Sequence, residues 1–138
     1  MEIRQYQDRD KAGLLALWEE IFPAGSPHND PQSSLENKLR VDRDLLFVAL
    51  IDDVVIGSVM GGYDGHRGWI YSLAVSPPLR RGGIASALMH IIEEKIKSLG
   101  CLKLNLQVVA TNAEVVALYE ELGFSVEERV SMGKKLYS

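Results

Sequence analysis

The amino-acid sequence predicts an α/β protein built around a mixed sheet. Apolar residues recur at every second position in some segments, as in strands, and at three- and four-residue spacing in others, as in amphipathic helices. These segments follow one another in the order β-α-α-β-β-β-α-β-α-β-β. The chain has 138 residues, of which 46% are hydrophobic and 25% are charged. This size and composition predict one domain over residues 1–138.

The first two helices follow a short opening strand, MEIRQY. Asp8 can cap the first helix, and Pro23 with Gly25 can end it. The apolar face of this helix is formed by Leu14, Leu17, Trp18 and Ile21. After a polar loop, Asp30-Pro31 predicts the start of a short second helix.

Three apolar segments predict the centre of the sheet. Two of them lie in LLFVALIDDVVIGSVMGGY, and the turn residues Asp52 and Asp53 between them predict a hairpin. The third, WIYSLAV, ends before Pro77 and Pro78 because proline cannot donate to a sheet ladder.

The C-terminal half alternates helices and strands. A long amphipathic helix follows the prolines and ends at Gly100, and LKLNLQV then alternates apolar and polar residues as a strand with one buried face does. A last helix is predicted from Asn112 to Leu122 and ends at Gly123. The remaining segment, FSVEERVSMGKKLYS, predicts two closing strands.

Charge and composition narrow the classes of function. The net charge of -4 and the pI near 5.4 disfavour nucleic acid as a partner and favour a cationic small molecule or peptide. Cys101 is the single cysteine, and no Cys and His residues have the spacing of a metal site. The opening MEIRQYQDRD has no apolar targeting core, and no apolar run approaches the ~20 residues of a membrane span. We therefore expect a cytoplasmic protein without metal, disulfide or membrane segment.

The segment RRGGIA places two arginines and two glycines directly before the long helix. The first N–H groups of a helix lack acceptors and carry partial positive charge, so they attract anions. Gly82 and Gly83 allow a large ligand to approach the backbone, and Arg80 and Arg81 suit phosphate oxygens. The alternative is a solvated loop whose glycines only serve its turns.

Two common phosphate loops fit this segment poorly. A Walker loop has Lys followed by Ser or Thr after its last glycine, where this chain has Ile84-Ala85. The dinucleotide fingerprint G-x-G-x-x-G is absent, and no acidic residue ends the following strand to bind a ribose.

Arg80-x-x-Gly83-x-Ala85 resembles the Q/R-x-x-G-x-G/A signature of the GCN5-related N-acetyltransferase (GNAT) superfamily. A second block that is similar to the family begins at Asn112, with Tyr119 seven residues later and Gly123-Phe124 after it. The order of elements from Met1 to Leu136 is also similar, and VMGGYDGHRG and NDP resemble the small bacterial YpeA-type subgroup.

The resemblance implies a mostly antiparallel, twisted sheet of about six to seven strands with splayed central strands and about four flanking helices. In one respect the chain departs from the family. Many members read Arg-Gly-x-Gly where this chain reads Arg80-Arg81-Gly82-Gly83, which leaves the orientation of Arg81 open.

The resemblance also implies acetyl-coenzyme A as the donor. Its pyrophosphate would bind the loop that contains Arg80, Arg81, Gly82, Gly83, Ile84 and Ala85. Its pantetheine arm would lie along a strand edge and bond to backbone groups of Leu73 and Val75.

Asn112 and Tyr119 have implied roles on the last helix. Asn112 resembles the asparagine that bonds the pantetheine arm, and plain N-capping is the alternative. Tyr119 resembles the general acid that protonates the leaving thiolate, and a core tyrosine is the alternative.

The acceptor side carries fewer signals. The amine must lose a proton, because a lysine-type ammonium has a pKa of ~10.4. Many members have a glutamate on the strand equivalent to WIYSLAV, which here has no carboxylate. Asp64 and His66 are the nearest candidates for the base and the acceptor site, with Tyr71 as a holder of water, and a plain turn and a solvated loop are their alternatives. Asp30 is also expected near the cleft, so a cationic acceptor is predicted.

These residues predict direct transfer of acetyl from acetyl-coenzyme A to a primary amine of a small molecule or peptide in a ternary complex. The alternative is a non-catalytic coenzyme A binding or sensing module, which the missing strand glutamate favours and Tyr119 disfavours. A phosphate-binding interaction domain is a third interpretation. The sequence fits a monomer or a homodimer.

Overall fold

A computed structural model describes residues 1–22 and 25–138 of the chain. Pro23, which was expected to help end the first helix, lies outside the described residues. The chain forms two compact units, Met1–Gln107 and Val108–Ser138, and each is described by itself.

The first unit contains the sheet. Its elements are β1 (Glu2–Gln5), α1 (Lys11–Ile21), α2 (Pro31–Asp42), β2 (Leu46–Ile51), β3 (Val54–Tyr63), β4 (Gly68–Val75), α3 (Ile84–Ser98) and β5 (Leu104–Leu106). Within the described residues the five strands lie side by side in chain order. Pairing is antiparallel from β1 to β4, and β5 is parallel to β4, so the predicted mixed sheet is confirmed.

The N-terminal ends of the first two helices show one wrong and one correct prediction. Asp8 does not cap α1: it begins a short 3₁₀ turn, Asp8–Asp10, that precedes the helix. Buried Asp10 orders this turn instead, because its carboxylate accepts hydrogen bonds from the Gln7 amide and the Arg4 guanidinium. Asp30 does cap α2, since its carboxylate accepts from the Ser33 amide at 3.0 Å.

The predicted hairpin is present between β2 and β3. Asp52 and Asp53 both have positive φ angles, 50° and 63°, as two-residue hairpin turns require. The pairs Ile51–Val54 and Leu50–Val55 continue the ladder away from the turn. Asp tolerates this backbone region better than most residues, so the local sequence was sufficient to predict the turn.

Helices pack against the sheet through apolar residues. Residues of α1, α2 and β2 form one buried cluster, which includes Leu14, Leu17, Trp18, Leu35, Leu46 and Val48. The helix α3 lies close to β3, because a Cβ on Gly61 would come within 2.7–3.0 Å of Ile92 and Ile96. A glycine at this position therefore lets the helix approach the strand.

The second unit contains α4 (Ala113–Glu121) and the C-terminal segment 124–138. The predicted sheet of six to seven strands is wrong in number, because within the described residues this segment contains no strand. Four of its apolar side chains, those of Val126, Val130, Met132 and Leu136, are 76–92% exposed. Its apolar residues stand at alternate positions, namely Phe124, Val126, Val130, Met132 and Leu136. A strand is stabilised by burying one such face, and from Val126 onward these residues are exposed.

The strand predicted for LKLNLQV is also shorter than expected. Only Leu104–Leu106 pairs with β4, and Leu102 is 99% exposed. Among the described residues, no helix is long and apolar enough to cross a membrane.

Candidate active site

The loop between β4 and α3 has an unusual backbone. Pro77–Leu79 forms a 3₁₀ turn, Arg80 is extended, and Arg81 and Gly83 have left-handed φ angles of 68° and 84°. A left-handed conformation is costly for Arg81, a residue with a side chain. Arg81 is therefore strained. Many members of the family that this sequence resembles have a glycine at this position, which would not be strained.

The start of α3 has no cap from a side chain. Gly83 is the N-cap residue, the first turn contains no acidic residue, and the first backbone bond runs from the Ala87 amide to the Gly83 carbonyl at 3.1 Å. The amides of residues 81–86 have no hydrogen-bond acceptor within the described part of the chain. A Cβ on Gly83 would meet nothing within 4 Å, so the space at this point is open.

Arg80 has a structural partner. Its Nε donates a hydrogen bond to the Val75 carbonyl at 3.2 Å, so its side chain folds back on the end of β4. Both Arg80 and Arg81 are exposed. Arg80 thus fixes the loop to the strand, and its remaining guanidinium nitrogens stay accessible to a ligand.

The edge of β4 is open beyond its first three residues. Pairing with β5 stops at Ile70, which lies opposite Leu106. The Ser76 amide donates to the Ile56 carbonyl at 2.8 Å, on the β3 side. Because successive residues of a strand direct their backbone groups to opposite sides, Val75 directs its groups to the edge away from β3. Among the described residues, no strand pairs with this edge of β4 beyond Ile70, and splayed central strands stay a prediction.

A buried hydrogen-bond chain supports an irregularity in β4. Ser72 has a φ angle of 52°, and the β3–β4 register shifts between Ser58 and Met60. The Ser72 carbonyl accepts from the Ser58 hydroxyl at 3.0 Å, and this hydroxyl accepts from Trp18 Nε1 at 2.8 Å. These hydrogen bonds were not predicted from the sequence, although the serine inside the apolar segment of β3 was a signal for them.

A groove of about 510 Å³ opens between α2 and the strands β3 and β4. It is lined by His28, Ser34, Asn37, Lys38, Val41, Asp42, Met60, Gly62, Tyr63, Asp64, Trp69 and Tyr71. Of the four residues expected on the acceptor side, the groove brings together Asp64 and Tyr71. Asp30 and His66 are not among the described residues that line it.

Asp64 has the hydrogen bonds of a turn residue. Its Oδ1 accepts from the amides of Arg67 and His66 at 2.8 and 2.7 Å, and these bonds hold the pKa of Asp64 below its usual range. It is therefore ionised at neutral pH. Burial, followed by the negative charge of Asp64, raises the pKa of Tyr71. The Asp64 carboxylate thus acts electrostatically on the groove.

Lys38 and Asp42 are groove residues that the sequence analysis missed. Lys38 is buried, and its ammonium pairs with the Asp42 carboxylate and donates to the Gly61 carbonyl. An i,i+4 pair is common on exposed helices, so its spacing alone does not indicate a site. Lys38 lies three residues after Leu35 on α2, and therefore on the same face of the helix. This spacing was the sequence signal that Lys38 is buried.

The second unit contains the two remaining expected residues. The Asn112 side-chain oxygen, Oδ1, accepts from the Val115 amide at 3.3 Å, so Asn112 is the N-cap of α4. Tyr119 is buried, and its ring meets that of Phe124 edge-on with centroids 5.7 Å apart. Burial raises the pKa of Tyr119 to about 12.

No group of three or more His, Cys, Asp or Glu side chains within residues 1–22 and 25–138 is arranged to hold a metal ion.

Comparison with known proteins identifies the family. The model of the acetyltransferase (GNAT) family matches residues 12–124. An acetyltransferase of Yersinia enterocolitica is 42% identical over 136 residues, which cover 99% of this chain and 96% of that protein. An acetyltransferase of Pectobacterium atrosepticum is equally similar, with the same coverage.

Solved structures show the same fold. The aminoglycoside acetyltransferase AAC(6')-Iy, in complex with a bisubstrate analogue of coenzyme A, has a TM-score of 0.80 at 23% identity, with 97% of each chain covered. Its complex with coenzyme A has a TM-score of 0.81 at 22% identity, with 99% of this chain and 95% of that chain covered. With a full-length relative at 42% identity and a family model over most of its length, this chain is a member of the GNAT family of acetyltransferases.

Proposed function

We propose that this acetyltransferase transfers acetyl from acetyl-coenzyme A to a primary amine by direct attack in a ternary complex. The observation that carries the proposal is the uncapped start of α3 directly after Arg81 and Gly83. Free amides, a helix dipole and open space are the features that a pyrophosphate requires. AAC(6')-Iy has been solved with coenzyme A and has the same fold.

The donor would be held by the loop and the open strand edge. The amides from Arg81 to Ala85 would bind the pyrophosphate, and the Arg81 guanidinium would add a charge-assisted hydrogen bond. The backbone groups of Leu73 and the Val75 amide would pair with the amides of the pantetheine arm as an added strand does. The Val75 carbonyl already accepts from Arg80, so we assign it no bond to the arm.

Asn112 is proposed to contact the pantetheine arm through its side-chain NH₂. Its side-chain oxygen is used in capping α4, which leaves the side-chain NH₂ as the group that could donate to the donor's arm.

When bound, acetyl-coenzyme A supplies a thioester that a neutral amine can attack, with a thiolate as the leaving group. Tyr119 is proposed to donate the proton that this thiolate takes up. With a pKa of about 12, its phenol is protonated throughout the neutral range and is available as an acid. The T-shaped contact with Phe124 and the buried position fix the ring.

The acceptor amine is proposed to bind in the groove beside α2. Ionised Asp64 attracts an ammonium group, but its lowered pKa makes it a weak base. The proton would leave through His66, or through water held near Tyr71. The Tyr71 side chain is half exposed in the groove, so it can contact both the amine and solvent.

The experiment that tests this function measures thiol release with a panel of amines, polyamines, amino acids and peptides. Amine-dependent release of coenzyme A with acetylated amine as the product is the expected result. The second candidate is a coenzyme A binding module without catalysis, which is favoured by the absence of any carboxylate on β4. Stabilisation by coenzyme A without thiol release for any amine would favour that module.

A further inference from the structure

The acceptor groove contains little uncompensated charge. Its acidic and basic side chains, apart from His28, are Lys38, Asp42 and Asp64. Lys38 and Asp42 pair with each other, so their charges cancel within the groove wall. Lys38 is further committed to the Gly61 carbonyl. One carboxylate, that of Asp64, is left to balance the charge of a ligand.

Aromatic and apolar side chains form much of the remaining wall. Tyr63, Trp69 and Tyr71 come from the facing ends of β3 and β4, and Met60 and Val41 extend the apolar surface. Tyr71 and Val41 are 50% and 79% exposed, so these surfaces are open to a ligand. Aromatic faces attract both apolar groups and an ammonium group placed over the ring.

Resting on the proposed function, we propose that the acceptor is a small primary amine with a single positive charge and an apolar, preferably aromatic, body. The ammonium group lies near Asp64, and the apolar body contacts Trp69 and Tyr71. A polycation such as an aminoglycoside or a polyamine would bring several ammonium groups to a groove that offers one free carboxylate. A second ammonium group would meet no further unpaired carboxylate among the described residues that line the groove.

The volume agrees with an acceptor of this size. Small-molecule sites are commonly about 300–1,000 Å³, and the groove of about 510 Å³ lies within this range. An amine as small as ethanolamine would leave the aromatic wall uncovered. Phenethylamine and ethanolamine therefore form an informative pair, since each has one ammonium group and only phenethylamine has an aromatic body.

The test compares kcat/KM for phenethylamine, ethanolamine, spermidine and kanamycin with the full chain and saturating acetyl-coenzyme A. We expect phenethylamine to exceed each of the others by roughly tenfold or more, the scale of one aromatic contact and one matched charge. A preference for spermidine or kanamycin would overturn the inference and leave the proposed acetyl transfer intact.

Two ring variants locate the effect. Tyr71→Ala should lower the phenethylamine to ethanolamine ratio several-fold, and Tyr71→Phe should keep it, because only the ring matters to the ratio. Any role of the Tyr71 hydroxyl in catalysis would change kcat/KM for both amines by the same factor, so it would not change their ratio. Trp69→Ala provides a second, independent test, and an unchanged ratio in both alanine variants would overturn the inference.

Calorimetry separates this inference from the proposed function. Titration of phenethylamine and ethanolamine into the chain saturated with coenzyme A measures binding without chemistry. Tighter binding of phenethylamine supports the inference even if no amine is acetylated, in which case the proposed catalysis fails. Equal binding of the two amines overturns the inference even if both are acetylated.

Discussion

Replacement of Gly83 by valine should remove donor binding at a small cost in stability. A Cβ at this position meets nothing within 4 Å, so no clash inside the protein is expected. The cost comes from the backbone, because Gly83 has a φ angle of 84° that side chains disfavour. A left-handed conformation costs roughly 1–2 kcal/mol for a residue with a Cβ. The valine side chain would occupy the open space in front of the α3 amides.

Thermal unfolding with and without coenzyme A measures both effects. Ligand at a hundredfold its dissociation constant adds ~2.7 kcal/mol to the stability of the folded state. Unfolding entropies of about 2 cal/mol/K per residue give about 0.3 kcal/mol/K for this chain, so wild-type Tm should rise by roughly 9 °C. The Gly83→Val protein should unfold roughly 3–7 °C lower without ligand and should show almost no rise with it. ATP and NAD should raise the wild-type Tm less than coenzyme A does.

Gly100 offers a matched control at the other end of the same helix. It has a φ angle of 96°, and a Cβ there also meets nothing within 4 Å. Gly100→Val therefore carries the same kind of backbone cost, and it should retain the full rise in Tm with coenzyme A. Equal rises in Gly83→Val and Gly100→Val would refute the placement of the pyrophosphate at the start of α3.

Three further predictions concern the chemistry. Tyr119→Phe should lower kcat by roughly ten- to a thousandfold with little change in donor affinity, and an unchanged kcat would show that Tyr119 only packs in the core. Because the pKa of Tyr119 is about 12, the wild-type kcat should not fall below about pH 11 through deprotonation of this tyrosine. Asp64→Asn should raise the acceptor KM more than it lowers kcat. The control Asp52→Asn removes the same charge from the β2–β3 turn and should leave KM and kcat unchanged. Equal changes in the two variants would show that only the net charge of the protein matters. His66→Gln should lower kcat/KM for the amine, because glutamine cannot take up the proton that the amine must lose. If His28→Gln lowers kcat/KM instead, the base is the histidine that lines the groove.

Local sequence signals predicted the elements that depend on local chemistry. Asp52 and Asp53 indicated a hairpin because aspartate tolerates the left-handed backbone that the turn needs. Asp30 indicated a helix start because its carboxylate can accept from an amide three residues later, and it does so from Ser33. Gly100 was expected to stop α3 in a left-handed conformation, and it has that conformation. Each of these outcomes requires only residues that are close in sequence.

The wrong predictions concern pairing between distant segments. The alternation in LKLNLQV predicts a strand of seven residues, but only Leu104–Leu106 pairs with β4, opposite Gly68–Ile70. The segment 124–138 was predicted to form two strands, but it contains none, and most of its apolar residues are exposed. A strand must pair with another strand, and the hydrophobic periodicity of one segment does not show whether a pairing strand is present.

The irregular backbone of β4 depends on residues that are distant in the sequence, so the sequence did not predict it. The resemblance implied splayed strands, but the residues that sustain the irregular backbone at Ser72 come from α1 and β3. Trp18 Nε1 donates a hydrogen bond to the buried Ser58 hydroxyl, and this hydroxyl donates to the Ser72 carbonyl. An unpaired buried donor or acceptor costs about 1–3 kcal/mol, so these two hydrogen bonds stabilise the irregular backbone at Ser72. The strand proposed to bind the donor therefore depends on a tryptophan and a serine that are 40 residues apart in the sequence.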